Sequence, residues 1–420
     1  MSSTSLSGRI ISRPEFIALV AGLMCLNSLA IDVMLPALPY MGEALNVANE
    51  NERQLVITAY MLGFGVAQLG FGPLSDRFGR RNPLLVGIVV YIAAAACAIF
   101  APNFFTLLLL RVVQGMGAAG TRVIATSAIR DRYSGRDMAE VMSLSFMVFM
   151  VLPVIAPGIG QVILLAGPWH YIFAFMAVLA TVIGVWVFMR LPETLSVEHR
   201  RPLTVSAVLG GFKLVFTDRV AISYGLAGMF MFASLFGFIS SSQQIYVDIY
   251  GLGPYFPVAF AAMASLMSLS NFLNSRLVQK FGMRRLSHGA ILVYLVLALA
   301  LTGLSLFMEP PLVVFFVLVA GIMFMFGFAA SNMNSLSMEP LGAVAGTASS
   351  VFGFIQTVGG AVIGSYVGQM FDGTVTPVAL GYLVMGLLVL GCVLVAERGR
   401  LFGVGAQYAH GEAAADFGGH

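Results

Sequence analysis

Runs of apolar residues long enough to cross a bilayer recur along the whole chain, separated by short stretches of Pro, Gly and charge. A membrane-spanning helix needs about 20 such residues. The pattern predicts spans near 16–38, 54–74, 83–101, 104–128, 138–164 and 168–190. A second set falls near 220–242, 254–276, 285–307, 311–335, 343–368 and 377–396. The first run is too long for a cleavable signal, contains Asp32, and leads into Pro36 and Pro39 without a small-residue cleavage site. It is therefore expected to stay as a span.

Composition agrees with this pattern. Of the 420 residues, 59% are hydrophobic and 10% charged, whereas a soluble domain carries about 25% charged residues. Such a chain cannot cover a water-facing surface, and it reads as an integral membrane protein. The formal net charge of +3 is small and dispersed, which argues against nucleic acid as a partner. Cys25, Cys97 and Cys392 lie in separate apolar stretches and read as small packing residues rather than a disulfide framework. His170, His199 and His288 fall at span ends or loops, and His410 and His420 lie near the C-terminus. Neither a metal nor a cofactor is expected within the membrane, nor is enzyme chemistry.

The basic residues set the expected direction. With the N-terminus in the cytoplasm, 19 of the 22 Lys and Arg residues fall on cytoplasmic segments. Arg53 falls outside, and Arg111 and Arg122 lie within a span. An even number of spans, with both termini cytoplasmic, follows from this bias.

The polar stretch from Leu191 to Asp218 divides the chain almost in half, so an internal repeat is expected. Gly79 in GPLSDRFGRR and Gly282 in SRLVQKFGMR are 203 residues apart, each after the second span of its half. The expected organisation is an N-terminal six-helix bundle over 1–190, a cytoplasmic linker over 191–219, a C-terminal six-helix bundle over 220–396 and a cytoplasmic tail over 397–420. Composition rich in Gly and Ala suggests disorder for the tail.

Three charges lie clearly within spans: Asp32, Arg111 and Arg122. A charge near the bilayer centre costs about 2.5–3.5 kcal/mol even on the lenient insertion scale, so each should face a cavity or a partner. At ~1.5 Å of rise per residue, the depths of Asp32 and Arg111 overlap, which allows a direct or water-bridged contact. A fixed buried ion pair is one reading. The other is a proton-carrying carboxylate beside a movable cation. Arg122 follows Arg111 by eleven residues, about three helical turns, and is expected on the same cavity-facing side unless it reaches the cytoplasmic headgroups.

These residues sit in motifs that resemble the major facilitator superfamily. GPLSDRFGRR resembles its loop signature at Gly72, Asp76, Arg77, Gly79, Arg80 and Arg81, and RVVQGMGAA its fourth-span motif at Arg111, Gln114, Gly115, Gly117 and Ala119. LPVIAPGIGQ resembles the antiporter motif at Pro153, Pro157 and Gly160, with Gln161 where a second glycine is usual. IDVMLPALP, with Asp32, Pro36 and Pro39, and MEPLGAVAGTASS are similar to segments of the twelve-span drug/proton antiporters of the bicyclomycin and chloramphenicol resistance subfamily. The resemblance implies an all-α fold of two pseudo-symmetric six-helix bundles in a bacterial inner membrane. It also implies Asp32 as the proton-linked acid, Arg111 as the responding cation, and Asp76 with its basic neighbours as a cytoplasmic gate.

Each motif also has a plain physical reading. The loop glycine permits a tight turn, Asp76 is placed to meet a neighbouring helix N-terminus, and Arg77, Arg80 and Arg81 can pair with acids or lipid phosphates. A positive-inside anchor is the simpler alternative. Pro153 and Pro157 with Gly158 and Gly160 can bend the fifth span and admit a close helix contact, or form an ordinary kink.

A drug-sized ligand needs an apolar cavity with few polar handles. Candidates are Asn27, Tyr60, Gln114 and Arg122 in the first half, and Gln243, Asn332, Asn334 and Gln356 in the second. Phe64, Phe149 and Phe236 can add stacking surface, and the 24 Met residues favour adaptable walls. Each polar candidate has the alternative role of bonding one helix to another. The expected function is proton-driven export of small amphiphilic drugs by a monomer in contact with lipid. Transport of a natural metabolite is the alternative.

Overall fold

The computed structural model describes residues 11–133, 135–195, 200 and 213–402, with the backbone alone described for 135–140, 142–150 and 342–346. The expected tail beyond residue 402 and most of the expected linker lie outside the described residues. The first half forms α1 (Arg13–Asp32), α2 (Leu38–Ala44), α3 (Leu55–Phe78), α4 (Arg81–Ala98), α5 (Phe104–Arg132), α6 (Gly135–Ala166) and α7 (His170–Arg190). The second forms α8 (Arg219–Gln243), α9 (Phe256–Phe281), α10 (Met283–Phe307), α11 (Leu312–Met338), α12 (Ala345–Phe354), α13 (Gly360–Gln369) and α14 (Thr376–Ala396).

This is the expected all-helical membrane fold. Eleven helical segments among the described residues are long and apolar enough to cross a bilayer, against twelve expected. The remaining span corresponds to α6, whose apolar stretch within the described residues is Val151–Ala166.

Local chemistry explains where several helices begin and break. Ser12 caps α1 by accepting from the Glu15 amide at 3.4 Å, with Pro14 in the first turn, where a missing N–H is harmless. The helix stops at Asp32, and a short 3₁₀ turn, Leu35–Ala37, joins it to α2. Pro36 and Pro39 cannot donate to carbonyls of the preceding turn, so the α-helical ladder cannot run through unbroken. The break leaves the last carbonyls of α1 in need of donors from elsewhere.

By its internal contacts the chain divides into two compact units. One comprises Met1–Ser206, Gly237–Ser265 and Gly364–Gly373; the other comprises Ala207–Phe236, Leu266–Ile363 and Thr374–His420.

In the first unit α5 packs on α3 and α4, while α1 packs on α6, α5 and α7. Glycine allows these approaches. A Cβ at Gly115 would fall on the carbonyl oxygen of Tyr60, and one at Gly63 on that of Val112. Gly160 of α6 likewise lies against the Val33 carbonyl, where α1 has just ended. Pro153 and Pro157 sit inside the continuous helix α6, so the close contact of this motif is with the break in α1. Gly115→Leu is expected to abolish accumulation of folded protein, since backbone rather than a movable side chain blocks the new atoms. Gly158→Ala, with nothing within 4 Å of the added atom, should accumulate normally. Fluorescence-detected size exclusion of both variants in detergent reads the difference.

In the second unit α10 packs on α11 and α14, and a small core gathers Val215, Ala221, Leu341, Ala348, Val351 and Phe352. Gly79 (φ 87°, ψ 168°) and Gly282 (φ 79°, ψ 155°) share a backbone region essentially closed to other residues. The faint sequence echo between the halves thus marks one turn used twice.

Candidate functional site

Asp32 ends α1 at 5% exposure, and it is the only buried carboxylate among the described residues. Among the described residues its side chain accepts one hydrogen bond, from the Ser28 hydroxyl one helical turn back, at 3.1 Å. Arg111 of α5 is wholly buried. Its Nε donates to Val56 O at 3.2 Å, Nη1 to Gln114 Oε1 at 2.6 Å and Nη2 to Ala30 O at 2.8 Å. The guanidinium also lies 4.5 Å from the ring centre of Tyr60.

Asp32 and Arg111 therefore form no ion pair here, although the sequence allowed one. Arg111 instead serves one of the last carbonyls of α1, two residues before the acid, where a cation is favoured by the helix end. Carboxylate and guanidinium are linked through the final turn of a single helix. A buried ionised carboxylate without a cation beside it is costly, and taking up a proton removes that charge.

The same cluster gathers most of the first-half candidates. Tyr60 donates to Asn27 Oδ1 at 2.9 Å and stacks on Phe64 at 6.3 Å between ring centres, and Gln114 turns its amide towards Met176 Sδ at 3.8 Å. All four candidates are buried. Arg122 is half-buried; its carbonyl accepts from Thr126 Oγ1 at 2.9 Å, and its guanidinium makes no hydrogen bond or ion pair with any described residue. The Phe149 side chain lies outside the described residues.

The second-half candidates are dispersed. Gln243 is buried at the end of α8, within the first unit. In the second unit Asn332 bonds Asn274 Oδ1 at 2.8 Å and Phe328 O at 2.9 Å, Asn334 is exposed, and Phe236 lies 6.1 Å from Phe232. Gln356 sits in a π-turn, Ile355–Gly359, with its buried Nε2 lacking a hydrogen-bond partner. Single π-turns are frequent at functional sites, and at this one the Gln356 donor is packed against Gly228.

Sequence reading missed a second polar cluster of the first unit, made of neutral amides. Asn51 Nδ2 donates to Gln369 O at 3.1 Å and Phe371 O at 2.8 Å, and Gln369 Nε2 returns a bond to Asn51 O at 2.5 Å. Gln244 donates to Asn51 Oδ1 at 2.6 Å and accepts from Gln54. No charge periodicity marks such a cluster, and its hydrogen-bonded partners are 190, 193 and 318 positions apart.

The loop motif builds a network of charges. Arg80 Nε donates to Asp131 Oδ2 at 2.7 Å, and its Nη1 reaches Asp76 Oδ1 at 2.5 Å and Ser75 Oγ at 2.7 Å. Burial alone would pull the Arg80 guanidinium down, but these bonds to Asp131 and Asp76 hold it above its ordinary value. The carboxylate at the N-terminus of α4 belongs to Glu193, which accepts from the Arg80 amide at 2.7 Å and the Arg81 amide at 3.2 Å. Asp76 was expected near a helix end; Glu193 holds that place, and Gly79 lets it approach. Arg81 donates to Phe188 O at 2.5 Å and lies over the Phe188 ring, while Arg77 lies over the neighbouring Phe78 ring. Gly72 contributes its carbonyl to Ser75 at 2.9 Å.

The Asp131 side chain is 15% exposed and the Asp76 side chain 47%. Asp131→Asn is expected to slow substrate turnover more than Asp76→Asn, because water screens the part-buried pair less than the exposed one, which is worth only about 0–1 kcal/mol. Transport rates of the two purified variants at matched expression give the order.

The second unit holds a counterpart after Gly282. Arg284 donates to Glu339 Oε2 at 2.7 Å and to Glu397 Oε1 at 2.8 Å.

A helical, multi-pass membrane protein that buries a single carboxylate among its described residues, with charged networks at helix ends, has the make-up of a membrane transporter. The chain belongs to the Major Facilitator Superfamily, whose family model matches residues 20–365. It is 30% identical over 368 residues to the bicyclomycin resistance protein homolog of Haemophilus influenzae, covering 86% of this chain and 91% of that one. It is 30% identical over 414 residues to the chloramphenicol resistance protein of Pseudomonas aeruginosa, covering 93% and 92%. Its fold resembles the crystal structure of a D-xylose-proton symporter at a TM-score of 0.73 and 15% identity, over 90% of this chain and 95% of that one. As a transporter of this superfamily it carries small-molecule substrates.

Proposed function

We propose that the chain is a proton-coupled antiporter that exports small amphiphilic drugs by alternating access. The observation that carries this reading is Asp32, the only buried carboxylate among the described residues, held by a single hydroxyl. It can bind a proton and lose it again without dismantling an ion pair. Arg111 holds the α1 turn that carries Asp32 and reports its charge state to α5. The resistance proteins similar to this chain support drugs as the substrate class.

In this reading 1–190 and 220–396 are the two moving bundles, 191–219 the linker and 397–420 the tail. The protein works as a lipid-surrounded monomer in the bacterial inner membrane, with both termini cytoplasmic as the basic residues favour. Asp76, Arg77, Gly79, Arg80 and Arg81, joined by Asp131 and Glu193, form the cytoplasmic gate, and the amides of Asn51, Gln54, Gln244 and Gln369 close the outer side. Tyr60, Gln114, Arg122, Gln243, Asn332 and Gln356 are the handles for the ligand.

The test is growth inhibition across chemical classes in a drug-sensitive host, with and without the expressed chain. Protection against neutral amphiphiles such as phenicols supports the proposal. Full expression with no protection in any class overturns it and favours a metabolite as cargo.

A further inference from the structure

The first unit contains the acid proposed above to carry protons. The second contains a histidine in an arrangement that also has room for one proton more. His288 of α10 is 1% exposed and is held on both ring nitrogens. The Phe402 amide donates to Nδ1 at 3.0 Å, and the Tyr224 hydroxyl of α8 lies 3.1 Å from Nε2. Tyr224 gives its own proton to Glu397 Oε1 at 2.7 Å.

These contacts admit one protonation state. The incoming Phe402 N–H requires a bare Nδ1, and the committed Tyr224 hydroxyl requires a proton on Nε2. The imidazole is therefore neutral. A second ring proton could enter only at Nδ1, where it would oppose the Phe402 N–H across 3.0 Å. That hydrogen bond cannot survive protonation.

What the bond holds is a tightly folded piece of chain. After α14 the backbone turns through left-handed angles at Arg398 (φ 54°), Gly399 (φ 78°) and Phe402 (φ 63°), which side-chain-bearing residues adopt only under constraint. The Phe402 ring stands edge-on to the imidazole at 5.8 Å. The charged and titratable groups around His288 are Tyr224 from α8, Arg284 from α10, Glu397 from the segment after α14, and Glu339 from the turn after α11 through Arg284. The ring thus stands beside the Glu397 carboxylate and the Arg284 guanidinium, with Glu339 reaching it only through Arg284.

We propose that His288 is a second proton-binding site, separate from Asp32, and that protonation there releases the chain after α14 from the second unit. The neutral ring fastens the segment at higher pH, and proton uptake as pH falls unfastens it. By linkage, whatever holds the segment in place weakens proton binding at His288 to the same degree.

The experiment places a spin label at the exposed position 400 (Arg400→Cys) in full-length protein whose Cys25, Cys97 and Cys392 are replaced by Ala, in lipid nanodiscs. Label mobility is followed from about pH 8 to about pH 5.5, a range that brackets an ordinary histidine. With His288 intact, the mobile-to-immobile ratio is expected to rise severalfold as pH falls, with the form of a single titration. In His288→Gln, whose amide oxygen can accept from Phe402 without titrating, the label should stay immobile throughout.

An immobile label across the range in the presence of His288, a mobile one across the range, or the same rise in His288→Gln would each overturn the proposal. A second measurement needs no change at His288: nitrogen-15 resonances in a chain with the other four histidines replaced. A neutral Nε2–H ring at pH 8 that becomes an imidazolium on acidification is expected. An imidazolium already present at pH 8, or a ring still neutral at pH 5.5, overturns the proposal.

Discussion

Asp32→Asn is expected to reduce uphill export to the level of vesicles without the protein, while insertion and folding remain intact. The carboxamide has the shape of the protonated acid and can keep the Ser28 bond, so the break between α1 and α2 is preserved. What disappears is the only buried carboxylate among the described residues, the group able to alternate between charged and neutral forms. Ligand binding can persist, with its dependence on pH flattened. The measurement is export into inverted vesicles energised by a proton gradient, beside an expression control. Export at the native rate with native pH dependence would move the proton site elsewhere. Glu339 would then be a weaker candidate than its position in the sequence suggests, since Arg284 already neutralises it; the Glu140 side chain lies outside the described residues.

Arg111→Ala should impair both stability and coupling. The truncation leaves the Ala30 and Val56 carbonyls and the Gln114 side chain without their donor, at ~1–3 kcal/mol for each buried group left unsatisfied. It also removes a cation stacked over Tyr60, an interaction worth about 2 kcal/mol when desolvated. A clear fall in melting temperature in detergent is expected, together with loss of export from whatever protein remains. Arg111→Lys keeps the charge but cannot span three acceptors from one planar group, so it should fall between native and alanine in both measurements. A melting temperature unchanged in Arg111→Ala would mean that the cluster contributes nothing to holding α1 against α5.

The helices were legible because bilayer thickness imposes a length on every span. Glu50–Phe78, Phe104–Arg132 and Thr376–Ala396 lie where apolar runs of about 20 residues placed them. The break after Asp32 was legible for a local reason, the prolines at 36 and 39. Partners were harder to read. Arg80 could be seen to need acids, but Asp131, which its guanidinium meets, is 51 positions away, and Glu193, which accepts from its backbone amide, is 113 away; only the packing of the chain selects them.

Depth misled in one respect. Asp32 and Arg111 share a level, yet the guanidinium turns to the carbonyl of Ala30, because a helix end offers an acceptor that a charge pattern does not display. The π-turn at Gln356 and the amide cluster around Asn51 have no sequence period at all. His288 read as an ordinary residue at a span end, since the groups that fix its tautomer come from α8 and from the chain after α14.

The central claim is that a proton and a drug exchange across the membrane through one protein. Proteoliposomes containing the purified chain, a trapped pH indicator and an imposed drug gradient test it directly, with a phenicol as the ligand. The account predicts proton movement opposite to the drug, dependent on the drug and absent with Asp32→Asn, while the drug is recovered chemically unchanged. Drug flux with no proton movement, or the same proton movement with Asp32→Asn, would contradict it.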